Sequence, residues 1–360
     1  FYSNGIETWL WDDQMAPPRQ VAGFRTKAEL ELMIQRRTTR RRLAEVAINS
    51  DIAGRFYQER AIRRIGESFE TEGQRKALVV MATGAGKTRT VIALADVLIR
   101  ANWAKRILFL ADRQALVIQA VNAFAAHLPD SSPVNLLTDR NVDGRVYVST
   151  YQTMMNLIPT TDAGGVSRFG PGHFDLVVID EAHRSVFAKY RAIFDWFDSL
   201  LVGLTATPKS EIDRNTYDLF DLETGVPTDE YGLDAAVDDG FLVPFRAVSV
   251  PLKFQREGIR YADLSPEEQA AWDELEWDDE DGPPDEVGAE AVNRWLFNED
   301  TVDKVLAFVM TNGLKIDGSD TLAKTIIFAK NQRHAEFIAQ RFDANYPNYK
   351  GEFARVITTR

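Results

Sequence analysis

The sequence predicts an α/β protein built on a doubly wound parallel sheet, and two observations lead to that fold class. Short, continuous apolar runs alternate with longer stretches in which apolar residues recur at helical spacing. A glycine-rich loop also stands directly between the first of these runs and the first amphipathic stretch. Uninterrupted apolar strands are typical of a parallel sheet covered by helices on both faces, so we expect this architecture from about residue 50 to residue 235.

Five apolar runs account for the predicted strands of this sheet. They are "ALVVMA" from Ala77, "ILFLA" from Ile107, "VYVST" from Val146, "LVVID" from Leu176 and "LVGLT" from Leu201. Between them, "KTRTVIALADVLIRA" and "DRQALVIQAVNAFAAHL" predict amphipathic helices. Further along, "TVDKVLAFVM" and "NQRHAEFIAQRFDANY" predict two more helices, and "TIIFA" and "ARVIT" predict buried strands of a second, incomplete α/β domain.

The chain divides into three predicted segments, because 360 residues are too many for one ordinary domain. We assign residues 46–238 to the first α/β domain and residues 239–360 to the beginning of the second. Residues 1–45 differ in pattern: "TKAELELMIQRR" predicts a helix whose capping box is formed by Thr26 and Glu29. The basic run "RRTTRRR" is either a phosphate contact or a solvated helix end and linker. Since the sequence opens without an initiator methionine, we expect it to be part of a longer protein.

Composition excludes several classes of protein. Because there is no cysteine, disulfides, thiolate zinc sites and cysteine nucleophiles are excluded. No apolar stretch reaches membrane-spanning length and no signal peptide is present, so we expect a cytoplasmic protein with no membrane partner. The net charge is −12, but much of the acid lies in a predicted exposed insertion near residues 273–286, and basic clusters remain elsewhere.

The stretch "MATGAGKT" (Met81 to Thr88) has the context of a phosphate-binding loop, between a strand and a helix. Gly84 and Gly86 allow the backbone N–H groups to turn towards an anion, and the helix that follows directs its positive end to the same place. Lys87 would bind the β- and γ-phosphates of ATP, and the Thr88 hydroxyl would bind Mg²⁺. The usual first glycine is replaced by Met81. The predicted nucleotide-binding residues of the loop are Thr83, Gly84, Ala85, Gly86, Lys87 and Thr88.

Two adjacent carboxylates, Asp180 and Glu181, end the apolar run of "VVIDEAH". A buried carboxylate is unfavourable unless a partner or a metal satisfies it. At the end of a parallel strand, Asp180 would lie beside the phosphate loop and hold Mg²⁺ opposite Thr88. Glu181 would then orient and deprotonate the water that attacks the γ-phosphate. The alternative for such a pair in isolation is a strand end where the chain simply becomes polar.

The series of motifs resembles that of superfamily 2 helicases and translocases. "RFYQERAI" precedes the phosphate loop, and "DEAH", "GLTATPKS", "LFLADR", "VSTYQT" and "TIIFAKN" follow it. The resemblance implies that Gln58 recognises adenine and that Thr205 and Thr207, with His183, couple ATP to the grip on nucleic acid. Tyr57 either stacks on the base or is a core tyrosine.

A closer resemblance is to the restriction subunit of type I restriction-modification enzymes, and it covers nearly the whole chain. It is carried by "FYSNGIETWLWDD", "RFYQERAIRRI", "MATGAGKTRTVIAL", "LFLADRQALVIQAVNAF", "VFAKYRAIFDWFDSLLVGLTATP", "YGLDAAVDDGFLVPF" and "KTIIFAKNQRHAEFI". The resemblance implies two RecA-like motor domains that use ATP and Mg²⁺ to translocate double-stranded DNA, together with methylation and specificity subunits. It also implies that residues 1–45 are the tail of a nuclease domain and that an arginine of later motor motifs lies outside this sequence. We find no Glu-x-Lys nuclease motif.

The same resemblance points to four residues that would contact the DNA backbone: Arg113, Ser149, Thr150 and Gln152. Such contacts position a duplex without reading its sequence. The alternative for Arg113 is a surface ion pair with Asp112.

Three other functions remain open on the sequence. The chain could be another superfamily 2 member, such as a repair or RNA helicase, which an assay with duplex DNA and RNA would distinguish. It could be a nucleotide-gated DNA-binding scaffold with vestigial hydrolysis, although Lys87, Asp180 and Glu181 are all present. A metabolic P-loop kinase is disfavoured by the motifs that follow the phosphate loop.

Overall fold

The computed structural model describes residues 1–13, 16–139, 142–161, 167–182, 184–207, 209–245, 259–260, 262, 269, 286–287, 299–316, 318–349 and 351–357. The chain forms two compact units, Phe1–Pro244 and Phe245–Arg360. Almost all of the predicted acidic insertion lies outside the described residues. Within the described part of the chain, no helix has both the length and the apolar composition that crossing a membrane requires.

The first unit begins with a small antiparallel sheet. Its strands are β1 (Tyr2–Ser3), β2 (Thr8–Asp12) and β3 (Ala16–Val21), and α1 (Lys27–Thr39) follows them. The predicted capping box of α1 is confirmed, because the Thr26 N–H donates to Glu29 Oε2 at 2.8 Å and the Glu29 N–H donates to Thr26 Oγ1 at 3.3 Å. Sequence reasoning misses the three strands, since β3 contains two prolines, which are unusual in strands.

A larger, fully parallel sheet forms the rest of the first unit. Its elements are α2 (Phe56–Glu70), β4 (Lys76–Met81), α3 (Lys87–Arg100), β5 (Ile107–Ala111), α4 (Gln114–His127), β6 (Pro133–Asn135), β7 (Val146–Thr150), α5 (Tyr151–Leu157), β8 (Leu176–Ile179), α6 (Arg184–Trp196), β9 (Leu200–Thr205), α7 (Arg214–Leu219), β10 (Asp229–Tyr231) and α8 (Leu233–Asp238). The strand order is β10-β4-β9-β8-β5-β7-β6, and every neighbouring pair is parallel. All five predicted strands are confirmed. The two short edge strands, β6 and β10, are missed because neither is a continuous apolar run.

Both faces of this sheet are buried, as the apolar runs predict. In β5, Ile107 and Phe109 enter one hydrophobic cluster, while Leu108 and Leu110 enter another on the opposite face. All four side chains are at most 1% exposed. The doubly wound parallel α/β fold is therefore confirmed for the first unit, and the carboxyl ends of its strands all lie along one edge.

The second unit contains the two predicted helices but not the predicted strands. After the short antiparallel pair β11 (Ile259–Arg260) and β12 (Glu286–Val287), it contains α9 (Glu299–Asn312) and α10 (Gln332–Asn345). The prediction of buried strands at "TIIFA" and "ARVIT" is wrong for the described residues 325–329 and 354–357, which are not in strands. A strand forms only where a neighbouring strand satisfies its backbone hydrogen bonds, and apolar character alone does not supply that neighbour.

Candidate nucleotide-binding site

The glycine-rich loop joins the end of β4 to the start of α3. Gly84 and Gly86 have φ values of 86° and 93°, in the left-handed region that glycine adopts at little cost. Between them, the fully buried Ala85 donates its N–H to the Ala82 carbonyl at 3.1 Å. The loop therefore turns tightly at the carboxyl edge of the sheet and presents the N-terminus of α3 to that edge, which suits an anion.

Lys87, the first residue of α3, lies beside the carboxylate pair. Its Nζ is 3.7 Å from Glu181 Oε1, and the two side chains are 12% and 36% exposed, respectively. β9 separates β4 from β8 in the sheet, so the two motifs meet across an intervening strand. Folding thus brings together Lys87 and Glu181, which were predicted from two separate motifs. Thr88 follows Lys87 and is half-buried.

The carboxylates follow β8 in a turn that the surrounding backbone fixes. The Asp180 N–H donates to the Leu110 carbonyl and the Tyr151 hydroxyl donates to the Asp180 carbonyl, both at 2.9 Å. Glu181 has a φ of 55° and donates its N–H to Asp180 Oδ1 at 3.1 Å. Burial and the neighbouring Glu181 raise the pKa of the Asp180 carboxyl, while Lys87 acts in the opposite direction. A cation bound at this carboxylate would relieve the unfavourable burial of its charge.

The residues of the site fit Mg²⁺ by their chemistry. The Asp180 carboxylate and the Thr88 hydroxyl both offer oxygen ligands, which this cation prefers. Across the described ranges, no group of three or more histidines, aspartates or glutamates is arranged to hold a metal by itself. Two protein ligands, with the remaining positions filled by water and phosphate oxygens, are the usual arrangement for Mg²⁺ in nucleotide sites.

Gln58 lies against the phosphate loop. Its side-chain Nε2 donates to the carbonyls of Ala85 and Gly86, both at 3.4 Å, and its Oε1 accepts from the Arg55 N–H at 3.3 Å. These hydrogen bonds are near the upper limit of distance and therefore weak. The Gln58 amide could therefore exchange these weak hydrogen bonds for bonds to a ligand.

Tyr57 is a core residue and not a side chain that is free to stack on a base. It is 0% exposed, its hydroxyl donates to the Ala85 carbonyl at 2.7 Å, and its ring stacks on Tyr231 with centroids 3.7 Å apart. Of the described aromatic residues that contact Tyr57, Phe56 and Phe241 are accessible, at 53% and 36% exposed. Sequence reasoning does not identify Phe241 as a neighbour of the site, because no local pattern links it to α2. The Arg55 guanidinium lies 5.1 Å from the centre of the Phe241 ring.

The end of β9 is tied to the turn that carries the carboxylates. Thr205 is 0% exposed, and its Oγ1 accepts from the Thr207 N–H at 3.0 Å. The N–H of Ala182 donates to the Leu204 carbonyl at 2.7 Å. A movement of one of these two segments would therefore displace the other. His183 lies outside the described residues.

The four predicted DNA contacts divide into two buried and two exposed side chains. Ser149 is 0% exposed and its hydroxyl donates to the Thr150 carbonyl at 3.0 Å, so its side chain is engaged within the protein and its contact with DNA stays a prediction. Thr150 is 8% exposed and caps α5, accepting from the Thr153 N–H at 3.2 Å. Gln152 is exposed. Arg113 is 80% exposed and forms the alternative ion pair, with its Nε 3.7 Å from Asp112 Oδ2.

The strand order, the phosphate loop after β4 and the carboxylates after β8 define a class of protein. The first unit has the RecA-like fold of superfamily 2 helicase-type P-loop proteins. A family model described as "Type III restriction enzyme, res subunit" matches residues 51–210.

Two curated proteins of Escherichia coli show a more particular relationship. The chain is 31% identical over 297 residues to the type I restriction enzyme EcoAI endonuclease subunit, a match that covers 78% of the chain. It is 29% identical over 351 residues to the EcoKI endonuclease subunit, covering 86% of the chain. These matches confirm the predicted resemblance, and the chain is homologous to the helicase-like region of type I restriction endonuclease subunits. It spans 33% and 28% of the length of these two relatives, respectively.

Among solved structures, the helicase domain of Pyrococcus furiosus Hef resembles the chain at 18% identity and a TM-score of 0.41. The match covers 84% of this chain and 56% of that domain. At this score the comparison adds nothing to the fold that the strand order defines.

Proposed function

We propose that this chain is the ATP-hydrolysing motor of a type I restriction enzyme and that it drives movement along double-stranded DNA. The observation that carries the proposal is the 3.7 Å approach of Lys87 Nζ to Glu181 Oε1, because it unites the phosphate loop and the carboxylate turn in one site. The E. coli relatives are endonuclease subunits. We propose by extension that the protein acts in the cytoplasm with methylation and specificity subunits, and that nuclease residues outside this chain cut the DNA.

Each residue of the site has a separate task in ATP hydrolysis. The loop N–H groups and Lys87 bind the phosphates, and the weak bonds of the Gln58 amide give way to the edge of adenine. Asp180 and Thr88 would hold Mg²⁺, which neutralises negative charge on the phosphates when bound. Glu181 orients the attacking water and accepts its proton. We propose that the exposed Phe56, two residues before Gln58, flanks the base in the role that the buried Tyr57 cannot take.

We propose further that the site is coupled to DNA through Thr205, Thr207 and His183. The hydrogen bond between the Ala182 N–H and the Leu204 carbonyl supports this proposal, because it links the carboxylate turn to the end of β9. Of the predicted DNA contacts, Arg113 and Gln152 are exposed and are the residues that we propose to touch phosphate groups.

The test is steady-state ATP hydrolysis by the full-length protein that contains this chain, with duplex DNA, with RNA and without nucleic acid. We expect turnover that duplex DNA stimulates and that Lys87→Ala abolishes without loss of fold, since Lys87 supplies charge to phosphate rather than filling the core. Lys27→Ala, which removes a 90% exposed lysine elsewhere, is the matched control. Turnover of Lys87→Ala within about threefold of the wild type would contradict the phosphate-loop assignment. Stimulation by RNA alone would favour an RNA helicase, and no turnover in any condition would favour a DNA-binding scaffold.

A further inference from the structure

A cavity lined by arginines lies at the edge of the large sheet opposite the phosphate loop. Its volume is about 300 Å³, and it lies between the N-terminal segment (β1–β3 and α1) and the residues that precede β4, β8 and β9. Five arginines line it: Arg19, Arg25, Arg36, Arg40 and Arg75. Because the strands are parallel, the length of β4, about 20 Å, separates this cavity from the nucleotide site.

The buried aspartates satisfy only part of this positive charge. Asp198 binds three of the arginines, with Arg19 at 2.6 Å, Arg25 at 2.6 Å and Arg75 at 3.0 Å. Asp175 binds Arg36, from Nη1 to Oδ1 at 2.5 Å and from Nη2 to Oδ2 at 2.9 Å.

The two other carboxylates on the lining have partners of their own. Asp12 pairs with Arg37 at 2.8 Å. Glu70 accepts from the Leu43 N–H at 3.0 Å and lies 3.9 Å from Arg42. Four carboxylates and five guanidinium groups therefore line the cavity, and two of the carboxylates also contact Arg37 and Arg42, so the cluster keeps an excess of positive charge.

Arg40 is the lining arginine for which no ion pair is seen among the described residues. Its Nε has no hydrogen-bond partner there, and its guanidinium lies 4.5 Å from the centre of the Trp103 ring. Burial and the neighbouring Arg36 lower the pKa of Arg40 to about 10, and Asp175 and Asp12 offset only part of this shift. A cation left in this position is unfavourable unless an anion joins it.

Unused hydrogen-bond donors also line the cavity. Arg19 Nη1, Arg25 Nε, Arg36 Nε and Arg40 Nε are buried and have no hydrogen-bond partner among the residues that the structure describes. The side chains of Arg25 and Arg36 are only 9% and 6% exposed, so water cannot readily satisfy them from bulk solvent. Buried donors without acceptors are rare in proteins and point to a missing partner. Among the arginines paired with Asp198, Arg75 is the most exposed, at 30%.

We propose that this cavity binds a small phosphate-class oxyanion, which joins the N-terminal segment to the sheet. The planar donors of arginine match the geometry of phosphate oxygens. The volume is at the lower end of the range for ligand pockets and suits orthophosphate or pyrophosphate, or the terminal phosphates of a nucleotide. The proposal concerns a second site and does not depend on ATP hydrolysis.

The experiment is a titration of the Lys87→Ala protein with inorganic pyrophosphate, at constant ionic strength and without divalent cations, followed by calorimetry and thermal unfolding. The Lys87→Ala background weakens the phosphate loop as a competing site. We expect saturable binding at one site and a rise in Tm, because the anion binds only the folded state. Addition of Arg40→Gln should weaken binding at least tenfold. Arg64→Gln, which removes a 57% exposed arginine on α2, should have no effect.

Four results test the proposal. Without anion, the Arg40→Gln protein should melt at the same temperature as its parent or higher, because it lacks an unpaired buried cation, and this shows that it is folded. Arg40→Lys, which keeps the charge but loses the planar donors, should bind with intermediate affinity and serves as the test if Arg40→Gln does not fold. An equal response of the parent and both Arg40 variants, or no saturable response, would overturn the proposal. Adenine nucleotides that bind with the same dependence on Arg40 would identify a nucleotide as the source of the phosphate, and pyrophosphate alone would identify the free ion.

Discussion

At the scale of single residues, the candidate catalytic groups are held by backbone conformations that few residues adopt. Glu181 has a φ of 55°, which in a non-glycine residue costs about 1–2 kcal/mol. Its N–H bond to Asp180 Oδ1 and the bond from the Ala182 N–H to the Leu204 carbonyl hold the turn in place. Strain of this kind is found where a side chain must point in a direction that ordinary geometry does not permit. The carboxylate of Glu181 is thereby directed towards Lys87.

Substitution of Glu181 by glutamine should separate binding from hydrolysis. The amide keeps the size and the turn but cannot take a proton, so we expect Glu181→Gln to bind ATP with Mg²⁺ normally and to lose turnover by about 10²–10⁴-fold. Binding is measured by calorimetry and turnover by phosphate release. Asp180→Asn is the companion variant, and for it we expect both binding and turnover to fall. If Glu181→Gln also loses binding, Glu181 is a metal ligand or a structural residue.

Gly86 should tolerate no side chain. Its φ is 93°, and a Cβ atom would lie 2.6 Å from Gln58 Nε2, so Gly86→Ala must displace either the loop or Gln58. We expect loss of ATP binding together with destabilisation. Gly73→Ala is the matched control, because its φ is 69° but no atom lies within 4 Å of the added Cβ. It should cost about 1–2 kcal/mol of unfolding free energy and leave nucleotide affinity unchanged. Equal nucleotide affinity in both variants would show that the contact with Gln58 is unimportant.

At the scale of elements, an apolar segment of the second unit does not form the strand that its sequence predicts. Phe328 and Ile326 of "TIIFA" are 91% and 78% exposed. The core of this unit instead joins α9 to α10, through Val302, Leu306 and Phe342. Arg341 of α10 also binds Asp303 and Glu299 of α9. Helices satisfy their own backbone hydrogen bonds, whereas a strand depends on a neighbour, which explains why only the helices are formed.

A pair of phenylalanine substitutions tests this arrangement. Phe328→Ala should change the unfolding free energy of the second unit by no more than about 0.5 kcal/mol, because an exposed side chain loses few contacts. Phe342→Ala, at a position 4% exposed, should cost about 3–5 kcal/mol. Denaturant unfolding of the chain, followed by a probe in the second unit, measures both. Equal losses would mean that the apolar segment at 325–329 is buried, as its sequence predicts.

At the scale of the whole first unit, ionic contacts attach the N-terminal segment to the base of the large sheet. Asp198 precedes β9 and binds arginines of both parts, while Asp175 precedes β8 and binds Arg36 of α1. The side chains of the two aspartates are 6% and 8% exposed. Burial alone would raise the pKa of Asp198, but Arg75, Arg19 and Arg25 lower it below its usual value. Burial would likewise raise the pKa of Asp175, and Arg36 lowers it. The charged form of each aspartate therefore stabilises the folded state.

Removal of the Asp198 charge should destabilise the first unit and weaken its response to acid. Asp198→Asn leaves three partly buried arginines without their buried carboxylate, and we expect a loss of about 3–5 kcal/mol at neutral pH. Because the pKa of Asp198 is lower in the folded state, the stability that it contributes is present above its unfolded pKa of about 3.9 and is lost as the pH falls below that value. The wild type should therefore lose stability more steeply than the variant below about pH 4.

Denaturant unfolding between neutral and acidic pH measures this difference. Asp195→Asn, at a side chain 64% exposed on α6, is the control and should change the unfolding free energy by no more than about 0.5 kcal/mol. Parallel acid profiles for the wild type and Asp198→Asn would show that the ionic cluster does not stabilise the fold.

The sequence by itself determined the features that depend on neighbouring residues. The five central strands are continuous apolar runs, the capping box of α1 spans four residues, and the phosphate loop needs only its glycines and lysine between a strand and a helix. Each of these signals lies within one short window, so no knowledge of distant parts of the chain is required. The homology to type I restriction subunits also follows from the sequence, since its motifs extend along most of the chain.

Only the tertiary structure decided which residues from distant segments meet. Periodicity shows that Tyr57 and Ser149 belong to ordered elements but not that both are buried, and it cannot place β9 between β4 and β8. Arg19 and Asp198 are 179 positions apart, so nothing in either local sequence indicates that they bind each other. Such contacts depend on how the whole chain packs, which is why the arginine-lined cavity could be found only after the N-terminal segment was seen against the sheet.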